Sequence, residues 1–172
     1  MSRGPAVAVR DATAEDLRDM ERAKLEAGIA AWPHILPPDV LPQLAFPERW
    51  SAAVTRPPAR GHVLVGELEA KVVGFAMLRP SGDDDADGEI GELDGFYVVP
   101  DAWGRGVGRA LMSETLERLR ADGFREATLW TAVENHRPRR IYELGGWRLD
   151  GTSRHRQIFG AEFEEVRYRI RL

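Results

Sequence analysis

The segment from Ile90 to Met112 constrains the fold more than any other part of this chain. A β-rich run ends at Val99-Pro100 and re-enters a helix through Asp101-Ala102-Trp103-Gly104-Arg105-Gly106-Val107-Gly108-Arg109-Ala110. Glycine at three alternate positions lets the backbone take conformations closed to residues with a Cβ and lets an anion approach the chain closely. The following helix adds unpaired amides and the positive end of its dipole, so the segment is suited to holding a phosphate. Arg105 and Arg109 bring formal positive charge to the same spot. Val107, Leu111, Met112, Thr115, Leu116 and Leu119 recur at three- and four-residue spacing, an amphipathic helix that Gly123 stops. With Ala127 to Val133 as the next strand, the unit is a right-handed crossover between parallel strands.

The flanking segments read as further strands and helices. Ala6 to Arg10 is a short strand, and Thr13 caps a helix that runs to about Gly28, with Glu15 and Asp16 suiting its dipole. Trp32 to Pro42 carries four prolines, which rule out a long helix but permit a short one after Pro38. Phe46 to Val54 reads as a helix, and His62 to Leu68 with Val72 to Leu78 as a hairpin joined by Glu69-Ala70-Lys71. Pro138 to Leu144 is a short helix stopped by Gly145-Gly146, and Val166, Tyr168, Ile170 and Leu172 alternate with arginines as a half-buried strand.

Composition narrows the function classes. A chain of 172 residues is read as one domain, 1–172, able to bury a full core. It has no cysteine, which removes disulfides, thiol nucleophiles and thiolate metal sites. No apolar run approaches the roughly 18 residues of a membrane helix, and the N-terminus lacks the apolar core of an export signal. A cytoplasmic protein with no membrane partner is expected. A net charge of −4 argues against a general nucleic-acid binder. Acid is concentrated between residues 81 and 94, where Asp83, Asp84, Asp85, Asp87, Glu89, Glu92 and Asp94 meet no base. That cluster could draw a cationic ligand, or simply be a solvated loop. Four scattered histidines give no metal-site spacing, so no metal is expected.

Several ligands compete for the glycine turn. A nucleotide P-loop needs Gly-Lys-Ser/Thr at its end, whereas Gly108 is followed by Arg109-Ala110. A dinucleotide fingerprint needs a small residue three places after its second glycine, where Arg109 or Leu111 stands. A glycine turn that binds nothing is the remaining alternative. Context decides. Trp103-Gly104-Arg105-Gly106-Val107-Gly108 after Tyr97-Val98-Val99-Pro100 resembles the acyl-CoA signature of the GNAT superfamily of N-acetyltransferases, commonly Gln/Arg-x-x-Gly-x-Gly/Ala. Asn135, followed seven residues on by Tyr142 and then Leu144-Gly145-Gly146-Trp147, resembles the second signature of that family. Trp103 departs from the usual Gln or Arg, and Pro138 from the common Ala.

The resemblance implies an α+β fold: a mixed, mostly antiparallel sheet of six to seven strands flanked by helices, with a parallel βαβ unit splayed to admit acetyl-CoA. It implies that amides from Gly104 through Arg105, Gly106, Val107, Gly108 and Arg109 to Ala110 bind the pyrophosphate, that the backbone near Val98 and Val99 pairs with the pantetheine arm, and that Asn135 lies beside that arm. The reaction it implies is acetyl transfer to a primary amine of a small molecule, a protein N-terminus or a lysine. Tyr142 fits the acid that protonates the leaving thiolate, since a phenol is protonated at neutral pH. Glu92 is the base candidate, with Asp94 on the same face of its strand. Core packing for Tyr142 and simple solvation for the carboxylates are the plain alternatives. His34 could be a second base or a solvated loop residue, and His62 has no assigned role. Trp32, Ile35, Leu36 and Trp50 are candidate walls of an acceptor pocket, and a homodimer is left open. Two other functions compete: a non-catalytic acyl-CoA or metabolite-binding module on the same fold, and a nucleotide or nicotinamide enzyme.

Overall fold

Every strand expected from the sequence forms, and one more joins them. In the computed structural model, which describes residues 6–172, the strands are β1 (Val7–Asp11), β2 (His62–Leu68), β3 (Lys71–Pro80), β4 (Ile90–Val98), β5 (Glu126–Ala132), β6 (Arg148–Ile158) and β7 (Ala161–Arg171). The helices are α1 (Leu17–Ala31), α2 (Glu48–Thr55), α3 (Val107–Ala121) and α4 (His136–Leu144). One sheet holds all seven strands in the order β1-β2-β3-β4-β5-β7-β6. Only the β4–β5 pair is parallel. Residues 1–5, which open the stretch expected to carry no export signal, lie outside the described residues. Among the described residues no helix is long and apolar enough to cross a membrane.

Helix α3 covers one face. Its Val107, Leu111, Thr115 and Leu119 are fully buried, and each aliphatic side chain contributes about 1.5–3 kcal/mol by leaving water. The helix lies so close to β2 that a Cβ on Gly66 would meet Val107 Cγ1 at 2.8 Å. On the other face α1 and α2 press Phe46 and Trp50 against Phe75 and Tyr97, with ring centroids 5.3–6.0 Å apart.

The differences from the sequence reading have local causes. Helix α1 runs past Gly28 to Ala31, where the Trp32 amide closes the last turn on the Gly28 carbonyl. Its start is held by Asp16, whose carboxylate accepts from the Thr13 amide at 2.8 Å and from Arg10 at 2.7 Å. The proline-rich connector holds a single 3-10 turn, Leu41–Gln43, after Pro38. Helix α4 begins at His136 rather than Pro138 because Asn135 takes the cap position; Pro138, third in the helix, still needs no donor. The added strand β6 is an edge strand of polar residues, exposed along most of its length, and is held by backbone pairing with β7. It therefore carries no apolar alternation to read.

Strands β4 and β5 pair only at Ile90↔Glu126, Gly91↔Ala127 and Glu92↔Thr128, then separate. On its other edge β4 has a bulge: Met77 pairs with Gly95 and Leu78 with Leu93, which leaves Asp94 without a partner on β3. Bulges bend a strand and sharpen its twist. The result is a fork, open from Leu93 and Leu129 outward, with α3 and α4 on one side and α1, α2 and the connector on the other.

Candidate active site

At the mouth of the fork, Gly104 and Gly106 have φ of 75° and 92°, left-handed values that favour glycine. Gly106 caps α3. The amides of Gly104, Gly106, Val107, Gly108 and Arg109 have no carbonyl acceptor among the described residues. Two of the seven expected donors are used internally. The Arg105 amide reaches the Ala102 carbonyl at 3.3 Å, and the Ala110 amide closes the first helical turn on Gly106 at 3.0 Å. Arg109 is exposed and in no ion pair among the described residues, whereas Arg105 lies 3.6 Å from the exposed Glu69.

The backbone at the end of β4 is divided between two partners. The Val99 amide donates to the Val73 carbonyl at 2.8 Å, so it belongs to the sheet and not to the fork, contrary to expectation. Because strand residues alternate, the polar groups of Val98 point the opposite way, into the fork. Trp103 occupies one of them: its indole N–H donates to the Val98 carbonyl at 2.7 Å. The Arg137 guanidinium covers the Trp103 ring at 4.2 Å. The residue that departs from the family signature thus ties the glycine turn to the strand end.

Asn135 is buried at the end of β5, where its Nδ2 donates to Thr131 Oγ1 at 3.1 Å. In the last turn of α4, Tyr142 packs among Phe96, Trp147 and Tyr168 at ring distances of 6.1–6.5 Å. Burial, with the Tyr97 phenol adding to it, pushes its pKa well above the ordinary tyrosine value, so Tyr142 holds its proton at neutral pH.

The opposite side of the fork is lined by side chains. Glu92 sits at the last paired position, with Arg79 at 2.9 Å and the Gly82 amide at 3.3 Å. Burial raises its pKa, Arg79 opposes the rise and Asp94 adds to it. Asp94, at the bulge, accepts from Trp50 Nε1 at 2.6 Å and from Arg49 at 3.1 Å. The Tyr97 phenol is buried in the same region and is pushed far above its usual value, chiefly by burial and then by the charges of Asp94 and Glu165. Sequence reading quoted Tyr97 only as part of the strand end before the glycine turn and missed Glu165; no local pattern relates the two, which come from β4 and β7.

Other expectations change. The acidic loop is neutralised from within: Arg167, 4% exposed, pairs with Asp83 at 3.0 Å, Asp85 at 2.6 Å and Asp150 at 2.7 Å. Trp130 Nε1 donates to Asp83 at 3.0 Å. His34 is a strut, with Nε2 donating to the Glu134 carbonyl at 2.7 Å and the ring stacked on His136. His62 pairs with Asp122 at 2.8 Å, which ties β2 to the end of α3. Leu36 is buried with Leu41, Ala132 and Phe163 beneath the connector, with Ile35 packed at its edge, whereas Trp32 lines a small pocket.

A split parallel pair, with an amide cradle at its mouth and buried ionisable groups within, defines a group-transfer fold built to take an extended, phosphate-bearing donor. The chain belongs to the Acetyltransferase (GNAT) family, whose family model matches residues 17–146. It is similar to an uncharacterised N-acetyltransferase of Mycobacterium tuberculosis, 30% identical over 80% of this chain and 89% of that one. A second uncharacterised N-acetyltransferase, from Bacillus subtilis, is 27% identical over 83% of this chain and 88% of its own length. The fold matches that of a Salmonella typhimurium acetyltransferase solved with its cofactor acetyl-CoA, with a TM-score of 0.72, 19% identity and coverage of 97% of this chain and 94% of that one. The protein is an N-acetyltransferase with the α+β fold of that family.

Proposed function

We propose that this enzyme transfers the acetyl group of acetyl-CoA directly to a primary amine of a small molecule or peptide. The observation that carries the proposal is the fork itself, with partnerless amides at its mouth, Gly104 and Gly106 to Arg109, and a protonated tyrosine inside it. The cradle suits the donor: left-handed glycines and helix-start amides favour a pyrophosphate, and Arg109 adds charge. Val98, with Asn135 across the fork, would hold the amide-rich arm. When bound, acetyl-CoA supplies a thioester carbonyl for the amine nitrogen to attack.

In that reaction an N–C bond forms and a C–S bond breaks, while one proton leaves nitrogen and one joins sulfur. Tyr142 would give the proton to sulfur. Glu92, buried and more basic than an ordinary carboxylate, would take the amine proton through water. The two roles call for groups that stay protonated and deprotonated respectively, an order a phenol and a carboxylate have intrinsically, and burial raises both.

Coenzyme A release with a panel of amines tests the reading. Turnover with at least one amine, and thermal stabilisation by acetyl-CoA but not by ATP or NAD, is expected. Stabilisation by ATP or NAD alone would sink it, and tight acetyl-CoA binding without turnover on any amine would make the chain a sensor instead. Because the Glu92 carboxyl is raised, kcat/KM should fall at acid pH through a midpoint above the usual carboxylate range. That limb should vanish in Glu92→Gln.

A further inference from the structure

On the α1 side of the fork lies a pocket of ≈ 20 Å³ lined by Lys24, Trp32, Leu41, Leu44 and Tyr97. A cavity of that size holds about one water or one similarly small polar head. Lys24 and Tyr97 are its lining residues that carry an ammonium or a hydroxyl. Lys24 is partly buried, and its Nζ donates to the Leu44 carbonyl at 3.1 Å. It forms no ion pair with any carboxylate among the described residues. Three arginines, by contrast, are matched by carboxylates: Arg10 with Asp16 and Glu67, Arg79 with Glu92 and Asp94, and Arg167 with three aspartates. A desolvated ammonium with donors to spare is costly unless an anion reaches it. Burial accordingly pulls the Lys24 ammonium below the usual lysine value.

Beyond Tyr97 the polarity reverses. Asp94 and Glu165 are the negative groups whose charge that phenol feels. Asp94 is held by Trp50, Arg49 and Arg79, and Glu165 by Arg154 at 2.6 Å, so both are fixed in place. Lys24 and Tyr97 thus line one small space, and two carboxylates act on the phenol that borders it. That is the complement of a molecule carrying an anion at one end and an amine at the other.

Resting on the acetyltransferase reading above, we propose that the acceptor is a small amino acid: a primary amine that also bears a carboxylate, with the carboxylate bound by Lys24 and Tyr97 and the amine directed toward Asp94, Glu165 and the fork. The apolar walls of Trp32, Leu41 and Leu44 would exclude water from the ion pair and strengthen it.

The test compares matched acceptors in the coenzyme A release assay: several α-amino acids, each with its primary amide and its decarboxylated amine. The acids should exceed their amides in kcat/KM by about tenfold to a hundredfold, the range of a charge-assisted contact, and mainly through KM. In Lys24→Met that acid-over-amide ratio should fall to about unity, and Lys24→Arg should restore part of it. Amides or amines that match or exceed the acids in the wild type would overturn the proposal while leaving the acetyltransferase reading intact, and this comparison does not depend on any variant folding. A ratio that survives in folded Lys24→Met would overturn the assigned residue. If no amine of any form is acetylated, the acetyltransferase reading fails by itself; calorimetry of the same acids and amides with the wild type then decides the pocket, with preferential binding of acids supporting it and equal or absent binding overturning it.

Discussion

The two sides of the fork are built by different means. The α3 side offers the donor backbone: amides of a glycine turn and a helix start, and the polar groups of Val98. The α1 side offers the acceptor side chains, drawn from α1, α2, β3, β4 and β7, with Glu92, Asp94 and Glu165 paired to arginines and Lys24 bound only to a carbonyl. A backbone site needs only a few residues close together in sequence, so it tolerates wide change elsewhere. A side-chain site depends on distant segments arriving in register, and it can change its ligand by single substitutions.

The contrast can be broken at several points. The largest effect is expected at Tyr142, where the two sides meet. Tyr142→Phe keeps the packing and removes the proton, so kcat should drop by about 10²–10⁴-fold, the usual contribution of a general acid, with little change in acetyl-CoA affinity. Unchanged turnover would assign the acid elsewhere. Next is Gly106→Glu, which forces a side chain onto φ of 92° and sets a carboxylate beside the amides. Acetyl-CoA binding by calorimetry should weaken about a hundredfold, from roughly 1–2 kcal/mol of backbone strain plus like-charge repulsion; an unaltered affinity would move the phosphate site.

Arg167→Met probes the other side without touching the cradle. It leaves Asp83, its side chain 13% exposed, without a counter-charge, and Asp150, also 13% exposed, with Arg169 alone at 3.3 Å. Loss of about 2–4 kcal/mol in urea denaturation is expected, below the full value of a buried network because Asp85 is half exposed. The smallest effect is expected at Trp103→Phe. Removing the indole N–H frees the Val98 carbonyl, and acetyl-CoA affinity should rise about two- to tenfold, the worth of one competing hydrogen bond. A fall would mean that the indole holds the strand end in its binding shape.

Legibility in the sequence followed the same division. Gly104, Gly106, Asn135 and Tyr142 stand at fixed offsets because one local backbone path requires them, so their spacing alone indicated the family. Glu92 and Asp94 were visible as carboxylates on one strand face, but Arg79, Trp50 and the bulge that set their surroundings were not. The acidic run from Asp83 to Asp87 reads as a solvated or ligand-facing loop until Arg167, some eighty positions away, is found inside it. Strand β6 was invisible because an exposed edge strand needs no apolar pattern.

By itself, then, the sequence determined the elements that repeat or punctuate: the amphipathic α3, the buried strands, the glycine turn and the two signatures around it. Periodicity and glycine conformation act within a few residues, and a chain carries them wherever it goes. Only the tertiary structure decided which charges cancel and which stay open: Arg167 closed among three aspartates, Trp103 bound to Val98, Lys24 left with a carbonyl alone. Those outcomes depend on distance and desolvation between segments that meet only when the sheet has formed.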